Sequence, residues 1–195
     1  MPLWGATDGT ESKPKYLTDA EKKLVFANAS GWVLEAGSEF SGNDNTEATP
    51  EVLVAIGELA ESLGSADITQ IEFITTAFDK SDGGSLTATV LFNEKVTVTG
   101  NPTLSVTNGN QGTGTGRGPH VLVYTSGSST NKLTFTLAIG AANAATNADD
   151  VLSFGANALA HAGGSTIVDK AEGGNATITS AASIGTAAGT ITVAA

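Results

Sequence analysis

"SLTATVLFNEKVTVTGNPTLSVTNG", residues 85–109, is the stretch on which the fold turns. Its first half alternates with a period of two. Leu86, Ala88, Val90 and Phe92 fall on one side, and Thr87 and Thr89 on the other. Successive side chains of a strand point to opposite faces, so this pattern describes a strand with one buried face. Leu104 and Val106 repeat the spacing after Gly100 and Pro102. The stretch closes on Asn108-Gly109, a dipeptide that favours tight hairpin turns.

The same period extends outward. "ITQIEFITTA" (68–77) reads as a strand, and "HVLVYTSGSSTNKLTFTLAIG" (120–140) as a hairpin whose second arm aligns Leu133, Phe135, Leu137 and Ile139. "DDVLSFG" (149–155), "STIVDK" (165–170), "NATITSA" (175–181) and "GTITVAA" (189–195) add short runs. Roughly six to eight short strands, with turn signals about every ten residues, predict an antiparallel β-sandwich. Leu86, Val90, Phe92, Leu133, Phe135 and Leu137 are expected in one core.

Ahead of Ile68 the texture differs. Residues 1–15 are polar and contain Pro2 and Pro14, and they read as an extended arm. Residues 16–66 read as a small mixed α+β subdomain, and residues 67–195 as the sandwich. "TDAEKKLVFANA" (18–29) opens with a capping box, Thr18 and Glu21, which predicts a short helix from about Asp19 to Ala27. "PEVLVAIGEL" (50–59) supports two readings. Val52, Ile56, Leu59 and Leu63 fit a helical stripe behind Pro50, whereas "EVLVAIG" is also a β-branched run that could pair with Trp32 and Val33 in a hairpin.

Composition narrows the function classes. The chain has 195 residues, of which 24 are glycine, and a net charge of −11. An acidic chain repels phosphate backbones and anionic bilayers, so neither nucleic acid nor membrane is an expected partner. Cysteine is absent, which removes disulfides, thiolate nucleophiles and Cys-ligated zinc. No basic segment followed by an apolar run opens the sequence, and no apolar stretch approaches the roughly 20 residues of a membrane span, so a soluble, non-secreted protein is expected.

Two sets of phrases carry resemblances. "VLFNEKVTVTGNPTLSVTNG" (90–109), "YTSGSSTNKLTFTLAIG" (124–140), "LSFGANALAHAGGSTIVDK" (152–170) and "GGNATITSA" (173–181) stand in the order found in the tandem immunoglobulin-like repeats of large bacterial adhesins. Over half the chain resembles one such repeat, which implies an immunoglobulin-like sandwich. The first third, with "MPLWG" (1–5), "ESKPKYLTDAEKK" (11–23), "GWVLEAG" (31–37) and "EVLVAIG" (51–57), is similar to small virion structural proteins of marine, T4-like cyanophages. That resemblance implies a capsid decoration or cement protein on the virion surface, synthesised in the host cytoplasm. Its implied partners are the major capsid protein or other virion subunits, with self-association on the particle and host cell-surface glycans as further partners. The alternative is a receptor- or carbohydrate-binding module of a tail, fibre or neck. A single repeat favours a small, many-copy subunit over a cell adhesin.

Candidate chemistry is sparse, and an enzyme is not expected. "GTGTGRGPH" (112–120) is glycine-rich, but a strand-like run follows it where a phosphate loop needs a helix. It reads as a hairpin loop with Arg117 as a contact residue. His120 and His161 are isolated and have no carboxylates at ligand spacing. "DKSDGG" (79–84) resembles half a calcium loop, yet its twelfth position is Val90 where a bidentate Glu belongs. Asp149 and Asp150 form a second acidic pair. No catalytic, cofactor-binding or metal-binding residue is therefore assigned.

Trp32, inside "GWVL", is expected in the core, because aromatic area dominates packing. Trp4 stands among polar neighbours. Ordering a backbone costs roughly 1–2 kcal/mol per residue, and burying one Trp returns about 4–6 kcal/mol. That gain alone does not order fifteen residues, so a partner is expected to receive the tip. Pro2, Leu3, Trp4 and Arg117 are the expected partner-binding residues.

Overall fold

The structure, a computed structural model, describes residues 13–14, 16–109, 119–142 and 146–195. The expected contact residues Pro2, Leu3, Trp4 and Arg117 lie outside these. The chain is mainly β, with a sandwich-like architecture. Its strands are β1 (Val25–Asn28), β2 (Gly31–Leu34), β3 (Glu51–Ala55), β4 (Ile68–Phe73), β5 (Phe78–Asp79), β6 (Gly84–Thr99), β7 (Thr103–Gly109), β8 (His120–Ser126), β9 (Thr130–Ile139), β10 (Val151–Ser153), β11 (Leu159–Ala160), β12 (Thr166–Asp169) and β13 (Ile191–Ala194). The helices are α1 (Asp19–Lys22), α2 (Leu59–Ser62) and α3 (Ala182–Ala187).

The opening stretch supplies β6, the longest strand, and β7, in which Asn108 and Gly109 pair with β10 instead of forming the expected turn. Along its first half β6 pairs antiparallel with β4 on one edge (Ile71↔Val90) and with β9 on the other (Leu86↔Leu137, Ala88↔Phe135, Val90↔Leu133). Its far end pairs with β12 (Val96↔Asp169, Val98↔Ile167). The path continues from β9 through β8, β7, β10 and β13 to β5. Two pairings are parallel: β13 with β5, and a single bridge of β1 to β6 at Ala27↔Glu94.

Leu86, Val90, Phe92, Leu133 and Phe135 are fully buried in one cluster, with Leu137 packed against its edge. Tyr124 meets Phe135 edge-on, with centroids 5.9 Å apart. A second, separate cluster holds Val25, Ala27, Trp32, Leu34, Leu59 and Ala60, with Leu53 and Val54 against it. Each cluster is built from its own stretch of chain: residues 17–63 for the smaller and 66–193 for the larger.

The smaller body departs from expectation in two places. The capping box forms as expected: Thr18 N donates to Glu21 at 2.7 Å, and Glu21 N to the Thr18 hydroxyl at 3.3 Å. The helix nevertheless ends at Lys22, where one to Ala27 was expected. Val25, Phe26 and Ala27 are all buried and pair with β2, so a β-branched and aromatic run with two faces to cover is drawn into a hairpin. Gly31 closes that hairpin at φ +131°, and a Cβ there would lie 2.0 Å from the Val54 carbonyl oxygen. In residues 50–63 the strand reading holds for β3, which pairs Val54 with Trp32 and Val52 with Val33. A single helical turn, α2, follows. The base of the expected arm is packed rather than free: Lys13 and Pro14 are buried, and Leu17 N donates to the Pro14 carbonyl at 3.2 Å.

Phe135→Ala removes a fully buried ring between β6 and Tyr124 and is expected to destabilise the chain by about 3–5 kcal/mol. Denaturant midpoints compared with wild type check this, and an unchanged midpoint refutes the register.

Candidate functional site

The two bodies meet where β6 changes partners. Leu91 pairs with Lys132, but Val96 pairs with Thr130, so β6 carries a bulge across residues 92–95. Bulges bend a strand and re-aim its side chains. This one turns Asn93 and Glu94 into the joint. Both are essentially excluded from solvent.

Asn93 and Asp67 clasp each other: Asn93 N donates to the Asp67 carbonyl at 3.0 Å, and Asp67 N to Asn93 Oδ1 at 2.7 Å. Asp169, with no exposed surface, binds three backbone amides. Oδ2 accepts from Ala66 N at 2.8 Å, and Oδ1 accepts from Ala171 N at 2.7 Å and Glu172 N at 3.1 Å. A buried carboxylate is costly unless its lone pairs are filled, and here backbone donors fill them.

Glu94 is different. Neither carboxylate oxygen has a hydrogen-bond partner among the described residues. It lines a cleft of about 160 Å³ between Ala27, Asn28, Ala29 and Ala60 of the smaller body and Lys95, Lys170 and Ala171 of the larger. Burial, reinforced by the charges of Asp169, Glu172 and Asp67, pushes its pKa up from 4.5 to about 8. Two side-chain bridges flank the joint: Lys23 pairs with Glu72, and Lys95 reaches Glu35 at 3.7 Å while lying 4.7 Å over the Phe26 ring. The joint therefore combines a backbone pairing, two ion pairs and a cation–π contact, and the Asn93–Asp67 clasp braces it from within the larger body. Its chemistry is mechanical: it fixes one body against the other.

The residues singled out in the sequence scatter. Trp32 is fully buried in the smaller core. His120 is buried, with Nε2 3.2 Å from the Thr146 hydroxyl; burial lowers its pKa and Asp150 opposes the shift. His161 is exposed. Asp79 Oδ1 accepts from the Ser81 hydroxyl at 2.6 Å and from Ser81 N at 2.7 Å, which makes an Asx turn and holds its pKa below the usual carboxylate value. Asp150 Oδ2 accepts from Asn147 N at 2.8 Å. Among the described residues no three His, Cys, Asp or Glu side chains gather as a metal set, and no helix is long and apolar enough to cross a membrane. Sequence reasoning missed Asn93, Glu94 and Asp169. The signal for Glu94 was present, since it falls in the inward phase of Leu86, Val90 and Phe92.

Comparison with known proteins returns no match to a family, a curated protein or a solved structure.

Two outcomes are expected. A carboxyl whose folded pKa lies above its unfolded one weakens the fold as it ionises. Below about 4.5 Glu94 carries no penalty, the penalty grows up to about 8, and it is constant above that. Glu94→Gln should therefore gain stability over wild type on going from the acid to the alkaline end of this window, by about 1–3 kcal/mol. Urea melts across the window measure the difference, and parallel curves refute it. The Asp79 oxygen is already engaged by Ser81, so millimolar calcium should move the melting temperature no more than magnesium does. A rise of many degrees with calcium alone refutes this.

Proposed function

We propose that the protein is a non-enzymatic structural component of a phage virion: a capsid decoration protein whose N-terminal region binds the major capsid shell and whose sandwich-like domain faces outward. The observation that carries this reading is the two-body build. A small body with its own apolar core stands on the N-terminal side, and a joint of one backbone pairing, two ion pairs and a cation–π contact fixes the larger β domain to it. A molecule that must hold one domain at a set angle to a surface needs both an anchor and a stiff connection. The ordered N-terminal phrases and the immunoglobulin-like phrases support the same division of labour.

In this reading Leu3 and Trp4 occupy an apolar pocket on a neighbouring virion subunit. Aromatic anchors of this kind dominate interface energetics. Backbone pairing with the neighbour adds what one buried indole lacks against the entropy of ordering the segment.

A second reading, a receptor- or glycan-binding module of a tail, fibre or neck, is favoured by one feature. Val121 and Val123 are 45% and 39% exposed on β8, beside Thr103 and Ser105 of β7 and Thr136 of β9. This puts exposed methyl groups among the hydroxyl-bearing residues of the neighbouring strands.

Deleting residues 2–5 is expected to leave the melting temperature of the isolated protein nearly unchanged and to abolish incorporation into particles. Quantitative mass spectrometry of purified virions reads both incorporation and copy number. Hundreds of copies per particle support decoration, and a low, ring-like number supports the second reading. Wild-type occupancy by the truncated protein overturns the anchor. A far lower melting temperature instead places Trp4 in the protein's own core.

A further inference from the structure

Three of the chain's nine basic residues face one cleft, although the chain carries a net charge of −11. The cleft, about 510 Å³, lies where α1 approaches β4 and α3. Lys13, Lys22 and Lys23 line it, with one carboxylate, Asp19, and with Thr69, Gln70 and Ser183. We propose that this cleft is an oxyanion site, binding the carboxylate or phosphate group of a ligand between the ammonium groups of Lys13 and Lys22.

Lys13 carries the argument. The residue is only 9% exposed, and Nζ donates to the Lys22 carbonyl at 2.8 Å. An ammonium has three donors, and this bond uses one. No carboxylate of the described residues lies within ion-pair distance of it. Buried cations are otherwise paired, so among the described residues Lys13 is a charge set in place without its counterpart.

The neighbouring charges do not supply one. Lys23 is taken by Glu72. Lys22 reaches Asp19 at 3.4 Å, but that carboxylate is 97% exposed and its attraction is screened by water. α3 contributes the Ser183 hydroxyl, with no charge of its own to the lining. Burial, and secondly the charge of Lys22, lower the Lys13 pKa to about 8. An oxyanion in the cleft offsets both effects: it accepts the spare donors and separates the two ammonium charges. The site belongs to the isolated chain and does not depend on where the protein resides.

The test titrates the full chain with inorganic phosphate, with glutarate, and with sodium chloride at matched ionic strength. Side-chain NMR of the lysines follows the titration. Saturable shifts of the Lys13 signals, with its pKa rising on binding, are expected for one or both oxyanions and not for chloride. Affinity should weaken as pH rises through about 8. Lys13→Met, which keeps the buried stem, should lose about tenfold or more in affinity, the loss typical of one charge-assisted contact. Lys22→Gln should lose less, and Lys170→Gln, outside the cleft, nothing. Should Lys13→Met fail to fold, Lys22→Gln together with the chloride comparison still decides. Saturation by phosphate alone assigns a phosphate-bearing ligand, and saturation by glutarate assigns a carboxylate, including one on an acidic segment of a protein partner. Equal responses to all three salts, or undiminished binding by both Lys13→Met and Lys22→Gln, overturn the proposal.

Discussion

The carboxylate of Asp169 sits with no exposed surface between the start of the larger body and the turn after β12, and three backbone amides converge on it. One of these, Ala66 N, is the point at which the chain enters the larger body. Asp169 also pairs with Val96 of β6, just past the bulge that carries Asn93 and Glu94. One residue thus fixes the arrival of the chain and a surface turn through its side chain, and the far half of β6 through its backbone. If that side chain were removed, the buried amide of Ala66 would be left without an acceptor, at a cost of the order of 1–3 kcal/mol, and the turn after β12 would lose the two bonds that close it. The bulge, the clasp of Asn93 with Asp67 and the pairing of Ala27 with Glu94 all presuppose that this corner is in place.

Glu94 shows the other side of the same economy of burial. Asp169 is buried and filled with donors, whereas Glu94 is buried and empty-handed only a few residues away along the joint. Two carboxyls on one corner are held in opposite circumstances by where the backbone amides point. The joint is stiffened by one and kept sensitive to protons by the other.

Much of this was legible in the sequence, and the reasons differ by region. The alternation of Leu86 to Phe92, and of Leu133 to Ile139, is enforced by one buried face, so it reads directly as β6 and β9. The capping box of Thr18 and Glu21 is a local device, and it formed. What followed it was not local. Val25 to Ala27 obey the hairpin with β2 rather than the helix that the cap begins, because pairing and two-sided burial outweigh propensity. Residues 50–63 carried both periods, and they are spent in succession, first as β3 and then as the turn of α2. The candidate sites were less legible. Glu94 stood in the inward phase of its strand as a charged residue among apolar ones, but a bulge cannot be read from alternation alone. Lys13 looked like part of a polar arm, and only the folded chain reveals that its ammonium is buried beside Lys22. Pro2, Leu3, Trp4 and Arg117 belong to a different problem, since a contact residue is defined by what it meets.

The pairing of β13 with β5 also bears on force. The two strands run parallel, with Val193 beside Phe78 and Ala194 beside Asp79, and β13 is held on its other edge by β10. Tension drawn along β13, away from a body anchored through the N-terminal side of β5, slides one strand lengthwise past the other. The hydrogen bonds of the pair are then strained together, in shear, instead of opening one after another like a zipper. A pull applied on the C-terminal side of β13 therefore meets this pairing in the direction that yields least.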